Sequence, residues 1–172
     1  MTMKPPKMID NKNQNTVYNE LNQYIYFNSR LSVISGYFSI YAYYQLKDKL
    51  DEIDNMRFIF TVPLFIKNKE NTETREYEIS QTEQGIFGNE YELKLKNEMT
   101  QSAITRECAD WIKNKVEVKS YIKPNPATNR MIHIENLSSD DNICITGTVD
   151  FTSDGFGTTY SDRQDNNMCI YG

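Results

Sequence analysis

The stretch RMIHIENLSSDDNICITGTVDFT, residues 130–152, is the most informative part of the sequence for the fold. It contains two short apolar segments, MIHI at 131–134 and NICITG at 142–147, which are separated by a polar turn. Short apolar runs bounded by turn residues are typical of buried strands. The stretch therefore predicts an antiparallel hairpin across residues 136–142, followed by a Gly-Thr turn that leads into Asp-Phe-Thr. It also holds His133, the only histidine of the chain.

Helical and extended patterns alternate in the part of the chain that precedes this hairpin. A helix is predicted over residues 16–26 from three apolar residues spaced four apart, Val17, Leu21 and Ile25. A second helix is predicted to begin near Ser39 and to bury one face formed by Tyr43, Leu46, Leu50 and Ile53. A buried strand follows each helix, LSVIS at 31–35 and RFIFTV at 57–62. This α-β-α-β order is the pattern of a parallel sheet covered by helices.

The remaining segments extend this α/β pattern. Residues 66–92 are polar and weakly periodic, and we interpret them as an inserted loop. A long helix is predicted over residues 93–113, with an apolar stripe formed by Ile104, Cys108, Trp111 and Ile112. Two further strands are predicted, VEVKSYI at 116–122 and NMCIYG at 167–172. Because the chain stops directly after its last strand, we expect it to be part of a longer protein.

These patterns predict a single α/β domain over residues 13–172, built on a mixed sheet flanked by helices. LSVIS, RFIFTV and VEVKSYI are expected to be its inner strands, and residues 1–12 are expected to form a flexible N-terminal arm.

Composition limits the classes of function that need to be considered. Hydrophobic residues make up 38% of the 172 residues and charged residues 25%, which is typical of a globular domain. The sequence has no apolar run long enough to span a membrane and no signal peptide, so we expect a cytoplasmic protein with no membrane partner. The net charge of −5 argues against nucleic-acid binding over the whole surface, although it leaves room for a local basic patch.

Cysteine and histidine usage argues against a metal centre. Three cysteines, Cys108, Cys144 and Cys169, lie far apart in the sequence, and we interpret them as buried reduced thiols. With one histidine, the chain offers few ligands for zinc, and no cofactor is predicted.

The hairpin and the Gly-Thr turn before Asp-Phe-Thr resemble the phospholipase D superfamily. The signature of that superfamily is His-x-Lys, followed by Asp and then by Gly-Ser-x-Asn. More narrowly, the segments at 31–60 and 88–120 are similar to the N-terminal phospholipase-D-like domain of bacterial Swi/Snf-related helicases. The resemblance covers residues 16–172. It implies a metal-independent chemistry in which the histidine attacks phosphorus, while the lysine and the Ser/Asn pair hold the phosphate oxygens.

Two alignments of the signature with this sequence are possible, and each leaves the catalytic set incomplete. In the first alignment, His133 is the nucleophile, and Glu135 and Asp140 take the lysine and aspartate positions. The Gly-Ser-x-Asn positions are then matched by Gly147, Thr148 and Asp150, but two carboxylates, Glu135 and Asp150, stand where phosphate ligands are needed.

In the second alignment, the His-x-Lys positions are taken by Thr128, Asn129 and Arg130. The apolar residues that follow Arg130 favour this second alignment, which loses the nucleophile and keeps a cation.

A third interpretation treats His133 as an ordinary histidine of a strand, with no role in chemistry. The second alignment agrees with this interpretation.

Further basic residues extend the candidate site. Lys115, Lys119 and Lys123 lie four residues apart in and after a predicted strand, and with Arg130 they could line a phosphate backbone. A solvated edge strand protected by lysines is an equally good explanation of this spacing. The predicted nucleic-acid-binding residues are Arg130, Lys119, Lys123, Thr148 and Gly147.

Three classes of function remain open from the sequence. The first is a non-catalytic phospholipase-D-like domain that binds DNA for helicase domains located further along the same chain. The second is a metal-independent nuclease that acts as a homodimer through His133. The third is an interaction domain that binds no ligand. No ATPase motif occurs in these residues, so the ATPase motor of a helicase would have to lie elsewhere.

Overall fold

A mixed β-sheet organises the computed structural model, which describes residues 4–61, 65–67, 77–79, 98–120, 129–162 and 164–172. The strands are numbered in chain order: β1 (Lys7–Ile9), β2 (Arg30–Ser35), β3 (Asn55–Phe60), β4 (Phe65–Lys67), β5 (Tyr77–Ile79), β6 (Val116–Ser120), β7 (Arg130–Glu135), β8 (Ile143–Gly147) and β9 (Asn167–Tyr171). The helices of the same residues are α1 (Val17–Tyr24), α2 (Ile40–Gln45), α3 (Lys47–Leu50) and α4 (Glu98–Lys115).

Seven of these strands pair in the order β1-β9-β8-β7-β2-β3-β6, and β4 pairs with β5 separately. β2, β3 and β6 are mutually parallel neighbours, whereas β2 meets β7 in antiparallel pairing. β7 and β8 are antiparallel, with Ile132 opposite Ile145, which confirms the predicted hairpin. The predicted α/β class and the mixed sheet are therefore confirmed.

Helices α1 and α2 begin where the sequence provides capping side chains. The Thr16 hydroxyl accepts a hydrogen bond from the Asn19 amide at 3.2 Å and starts α1, and Ser39 caps α2 through the Tyr41 amide at 3.1 Å. The predicted second helix is divided at Leu46, whose backbone leaves the helical region. Its predicted apolar face is nevertheless buried throughout, from Tyr43 to Ile53.

One face of the sheet forms the core of the domain. Alternate residues of the central strands are buried there, among them Leu31, Val33, Met56, Phe58, Ile132, Ile134, Ile143 and Ile145. Helix α4 contacts the other helices through Trp111, whose indole Nε1 donates to the Leu50 carbonyl at 2.9 Å. The Trp111 ring also packs against Tyr43, with 4.9 Å between the centroids. This side of the sheet is the apolar, water-excluding side.

The predicted inner position of VEVKSYI was wrong. Within the described part of the chain, β6 pairs with β3 alone and is therefore an edge strand of the sheet. Its valines are only half-buried, and the Glu and Lys between them project to the other face. An inner parallel strand is usually apolar on both faces, so this alternation is typical of an edge position. Residues 121 and 122 of the predicted strand lie outside the described residues.

The N-terminal segment differs from the predicted flexible arm. Lys7–Ile9 forms β1 and pairs with β9, Ile9 is buried, and the Lys7 ammonium lies 2.6 Å from the buried Glu20 carboxylate. Three residues are too few for a periodic pattern, so this strand depends on a partner at the far end of the sequence. Of the predicted inserted loop at 66–92, the structure describes only the residues that belong to β4 and β5.

The three cysteines differ in burial. Cys108 and Cys169 are buried thiols, as predicted, and burial raises the pKa of Cys108 to about 12 and that of Cys169 to about 11. Cys144 is only partly buried, because it projects from β8 to the face opposite the core. Among the described residues, no helix is both long and apolar enough to cross a membrane.

Candidate functional site

The candidate site lies where the carboxyl ends of β2 and β3 meet the first residue of β7. The Thr61 amide, just after β3, donates to the Ser35 carbonyl at the end of β2, at 3.0 Å. Arg130 begins β7 opposite Gly147, the last residue of β8. Residues distant in sequence are therefore brought to one edge of the sheet, which we call the carboxyl edge.

Arg130 forms an ion pair with Asp150 at the carboxyl edge. Its Nε lies 2.5 Å from Asp150 Oδ1, and the side chains are 27% and 2% exposed, respectively. The buried Nε has no partner at hydrogen-bonding geometry, so Arg130 and Asp150 attract each other through their charges and not through a directed N–H bond. An ion pair with one buried member is weakly screened by water, which strengthens the attraction.

Asp150 is fixed from the opposite side by β2 and the turn that follows it. Its Oδ1 accepts hydrogen bonds from the Gly36 amide at 2.9 Å and lies 3.0 Å from the Ser35 hydroxyl. The same hydroxyl oxygen accepts from the Phe151 amide at 3.0 Å, and the Phe151 ring stacks on Phe38 at 5.3 Å. The Asp150 carboxylate is thus fixed by β2 and the buried turn, whereas the Arg130 side chain is the partner that reaches solvent.

Gly36 provides the space in which the guanidinium rests. A Cβ atom on this residue would lie 2.8 Å from Arg130 Nη2 and 3.4 Å from the Thr61 hydroxyl. Real Cβ atoms do not approach other atoms so closely, so the observed position of the guanidinium depends on the missing side chain. We refer to Arg130, Asp150, Ser35 and Gly36 as the Asp150 cluster.

Gly147 and Thr148 contact the segment that leads into β9. Gly147 has a φ of 144°, and a Cβ there would lie 2.8 Å from the Asn167 side chain. The Thr148 amide donates to Asn167 Oδ1 at 2.8 Å, and its hydroxyl donates to Asp165 Oδ1 at 3.0 Å. Both donors of Thr148 are therefore used within the protein. A phosphate could engage them only by displacing Asn167 and Asp165.

Lys119 lies away from the Asp150 cluster. It projects from β6 to the sheet face opposite Arg130, and its ammonium lies 2.8 Å from Glu117. Three strand spacings of about 4.8 Å separate β6 from β7. The structure does not bring Lys119 and Arg130 together, and the predicted Lys123 lies outside the described residues.

His133 occupies the middle of β7, between Ser32 of β2 and Cys144 of β8. It is three residues from Arg130, so it projects to the opposite face, about 10 Å along the strand. Glu135 shares the face of His133, and the buried Asp150 lies with Arg130. His133 and Asp150, two residues of the first alignment, are therefore on different sides of the sheet.

Sequence reasoning missed Ser35, Gly36 and the pairing role of Asp150. A Ser-Gly dipeptide at the carboxyl end of a buried strand was the available signal, because the carboxyl ends of parallel strands commonly carry functional residues. Among the residues that the structure describes, no group of His, Cys, Asp and Glu is arranged to hold a metal ion.

Comparison with known proteins adds no further assignment. No model of a protein family matches the sequence, and no curated protein matches it significantly.

Proposed function

We propose that this chain is a non-catalytic phospholipase-D-like domain that binds the phosphate backbone of DNA on behalf of a helicase. The observation that carries the proposal is the position of Arg130. Its guanidinium is held at the carboxyl edge of the sheet by a buried carboxylate, and part of the side chain remains exposed. The sequence resemblance to phospholipase-D-like helicase domains supports the same assignment.

The chemistry of arginine suits this role. A guanidinium stays charged at any working pH and can donate to two phosphate oxygens at once. The structure places Nε against Asp150, and the guanidinium carries two further nitrogens that could donate to a ligand. Such a contact recognises the backbone and not the bases, so binding would depend on salt and be nearly independent of sequence.

The geometry gives less support to the other predicted ligands of the phosphate. Lys119 is on the opposite face, and the donors of Thr148 and the turn at Gly147 are engaged with the β9 segment. We therefore assign the main contact to Arg130 alone, with Gly147 serving to shape the turn.

The alternative, a homodimeric nuclease that uses His133, has weaker support. Phosphoryl transfer needs a nucleophile within reach of the group that holds the phosphate. His133 and Arg130 project to different faces of the same strand, so a single phosphate could not contact both.

Under the proposal, the partners are DNA and helicase domains of the same parent protein, and the site of action is the cytoplasm. The free cysteines of the described residues are consistent with a reducing compartment.

DNA binding is tested by fluorescence anisotropy with a labelled duplex over a series of salt concentrations. Arg130→Ala is expected to weaken binding similarly for all sequences and to lower the salt slope by about one unit. Arg30→Ala is the matched control, because Arg30 also pairs with an aspartate, Asp54, at the opposite end of the same strands. Glu135→Ala is expected to change little. If Arg130→Ala, shown to be folded by circular dichroism, binds like wild type, the assignment of Arg130 is wrong.

The absence of catalysis is tested with bis-p-nitrophenyl phosphate. The wild-type chain is expected to turn over this substrate no faster than buffer. Turnover that disappears in His133→Ala would instead support the nuclease and the first alignment of the signature.

A further inference from the structure

We infer that Asp150 competes with phosphate for Arg130. This competition makes the Arg130 site selective for the phosphate backbone of a nucleic acid over a single free phosphate. This inference rests on the proposed function, because it concerns the ligand class of the same site. It assigns Asp150 and Gly36 as specificity-determining residues that set the resting position of the guanidinium.

The first observation is that a carboxylate already contacts the cation. Asp150 Oδ1 lies 2.5 Å from Arg130 Nε, and Asp150 is almost fully buried. A phosphate that approaches the guanidinium therefore meets an anion at close range. Like charges in one site repel, and the repulsion is strong where water is excluded.

The second observation is that Asp150 cannot easily move away. The Gly36 amide and the Ser35 hydroxyl hold its Oδ1 at 2.9 and 3.0 Å, and the following residue, Phe151, is stacked in the core. A tethered anion acts at a high effective concentration, so a free monoanion competes with it poorly. A nucleic acid presents many phosphates and gains from other contacts along its backbone, so it can still bind.

The third observation is that the resting position of Arg130 depends on Gly36. The Cβ of an alanine at this position would lie 2.8 Å from Nη2, at the far end of a flexible side chain. The alanine would therefore push the guanidinium away from Asp150 without changing the net charge. The φ of Gly36 lies outside the left-handed region, so an alanine fits the backbone there.

The test compares binding of inorganic phosphate, by isothermal titration calorimetry, with binding of duplex DNA, by anisotropy. The wild-type chain is expected to bind DNA and to show no measurable heat with phosphate. Asp150→Asn keeps an oxygen acceptor for Gly36 and removes the charge, so phosphate binding should appear and DNA should bind about tenfold tighter. Gly36→Ala should act in the same direction, with a smaller effect.

The control is Asp54→Asn, which makes the same change in net charge at the exposed partner of Arg30. It is expected to behave like wild type with both ligands. The inference is overturned if Asp150→Asn binds phosphate and DNA no better than Asp54→Asn does. If Asp150→Asn does not fold, Gly36→Ala decides: binding of phosphate no better than wild type would overturn the inference.

The outcomes also separate this inference from the proposed function. Wild-type DNA binding that depends on Arg130, with no gain in Asp150→Asn, would overturn the competition alone. If wild type and all variants bind neither ligand, both the proposed function and the inference are wrong.

Discussion

Two buried polar residues, Asn136 and Asp150, hold neighbouring segments together at opposite ends of the strands. They do so by different means. At one end, Asn136 donates through Nδ2 to the Tyr24 and Asp141 carbonyls, while its Oδ1 accepts from the Ser29 hydroxyl. At the other end, Asp150 accepts from Gly36 and contacts Ser35 and Arg130. We call the first group, Asn136 with Ser29, Tyr24 and Asp141, the Asn136 cluster.

The difference between the clusters concerns charge. The neutral amide of Asn136 satisfies its neighbours without any ion, whereas the carboxylate of Asp150 requires a cation to balance it. That cation is Arg130, which is partly exposed and can meet a ligand. The buried charge of Asp150 thus requires a partly exposed arginine beside it. The Asn136 cluster, at the other end of the strands, requires no cation.

The largest effect is expected for Asn136→Asp, which places a charge in the neutral cluster. Among the described residues, the hydrogen-bond partners of Asn136 include no cation. The new carboxylate would face the Tyr24 and Asp141 carbonyls, so we expect a loss of about 4 kcal/mol in the free energy of unfolding. Urea denaturation measures this loss. Asn136→Ala should cost only about 2 kcal/mol, from unmade hydrogen bonds. Equal losses in the two variants would show that charge does not distinguish the clusters.

Arg130→Ala is expected to cost about 3 kcal/mol in the free energy of unfolding, because it leaves Asp150 buried without its counter-ion. The double variant Arg130→Ala/Asp150→Asn should recover most of that stability, since the charge is removed along with its partner. Chemical denaturation of both variants tests this point. A double variant as unstable as the single one would mean that the arginine acts through packing.

Ser35→Ala should have a smaller effect, about 1.5 kcal/mol, because it leaves the buried Phe151 amide without an acceptor. Hydrogen exchange should show faster exchange of that amide in the variant. Ser32→Ala, on the opposite face of the same strand, serves as the control. Unchanged protection of Phe151 would remove Ser35 from the description of the cluster.

Arg30→Ala is expected to have the smallest effect, well under 1 kcal/mol. Arg30 and Asp54 form an ion pair at 2.8 Å, but both side chains are more than 40% exposed. Exposed pairs of this kind contribute little to stability and are screened by salt. Thermal unfolding at low and high salt should differ little between wild type and variant. A loss comparable with that of Arg130→Ala would mean that burial is not what separates the two arginines.

The fold could largely be predicted from the sequence because its signals are local. Apolar alternation marks β2, β3, β7 and β8, and a polar turn marks the hairpin between the last two. The interruption at Leu46 and the short strand β1 have no local signature. The first is a backbone bend inside a continuous apolar stripe, and the second is defined by pairing with β9.

The site could be predicted only in part. Arg130 follows from the hairpin pattern, and period-two alternation alone would have placed His133 and Arg130 on opposite faces. The Arg130–Asp150 pair could not be derived in this way, because it depends on the path of the chain after Gly147. The contacts of Asp150 with Ser35 and Gly36 join residues more than a hundred positions apart, so only the folded sheet brings them together.

The pairing of β1 with β9 has a consequence for the order of folding. Lys7 lies opposite Cys169, so these strands can pair only when the chain between them closes into a long loop. Closing so long a loop is entropically costly, and contacts between sequence-distant segments slow folding. We expect β1 to be the last strand to join the sheet and the first to detach, so that partial unfolding begins by uncovering the backbone of β9.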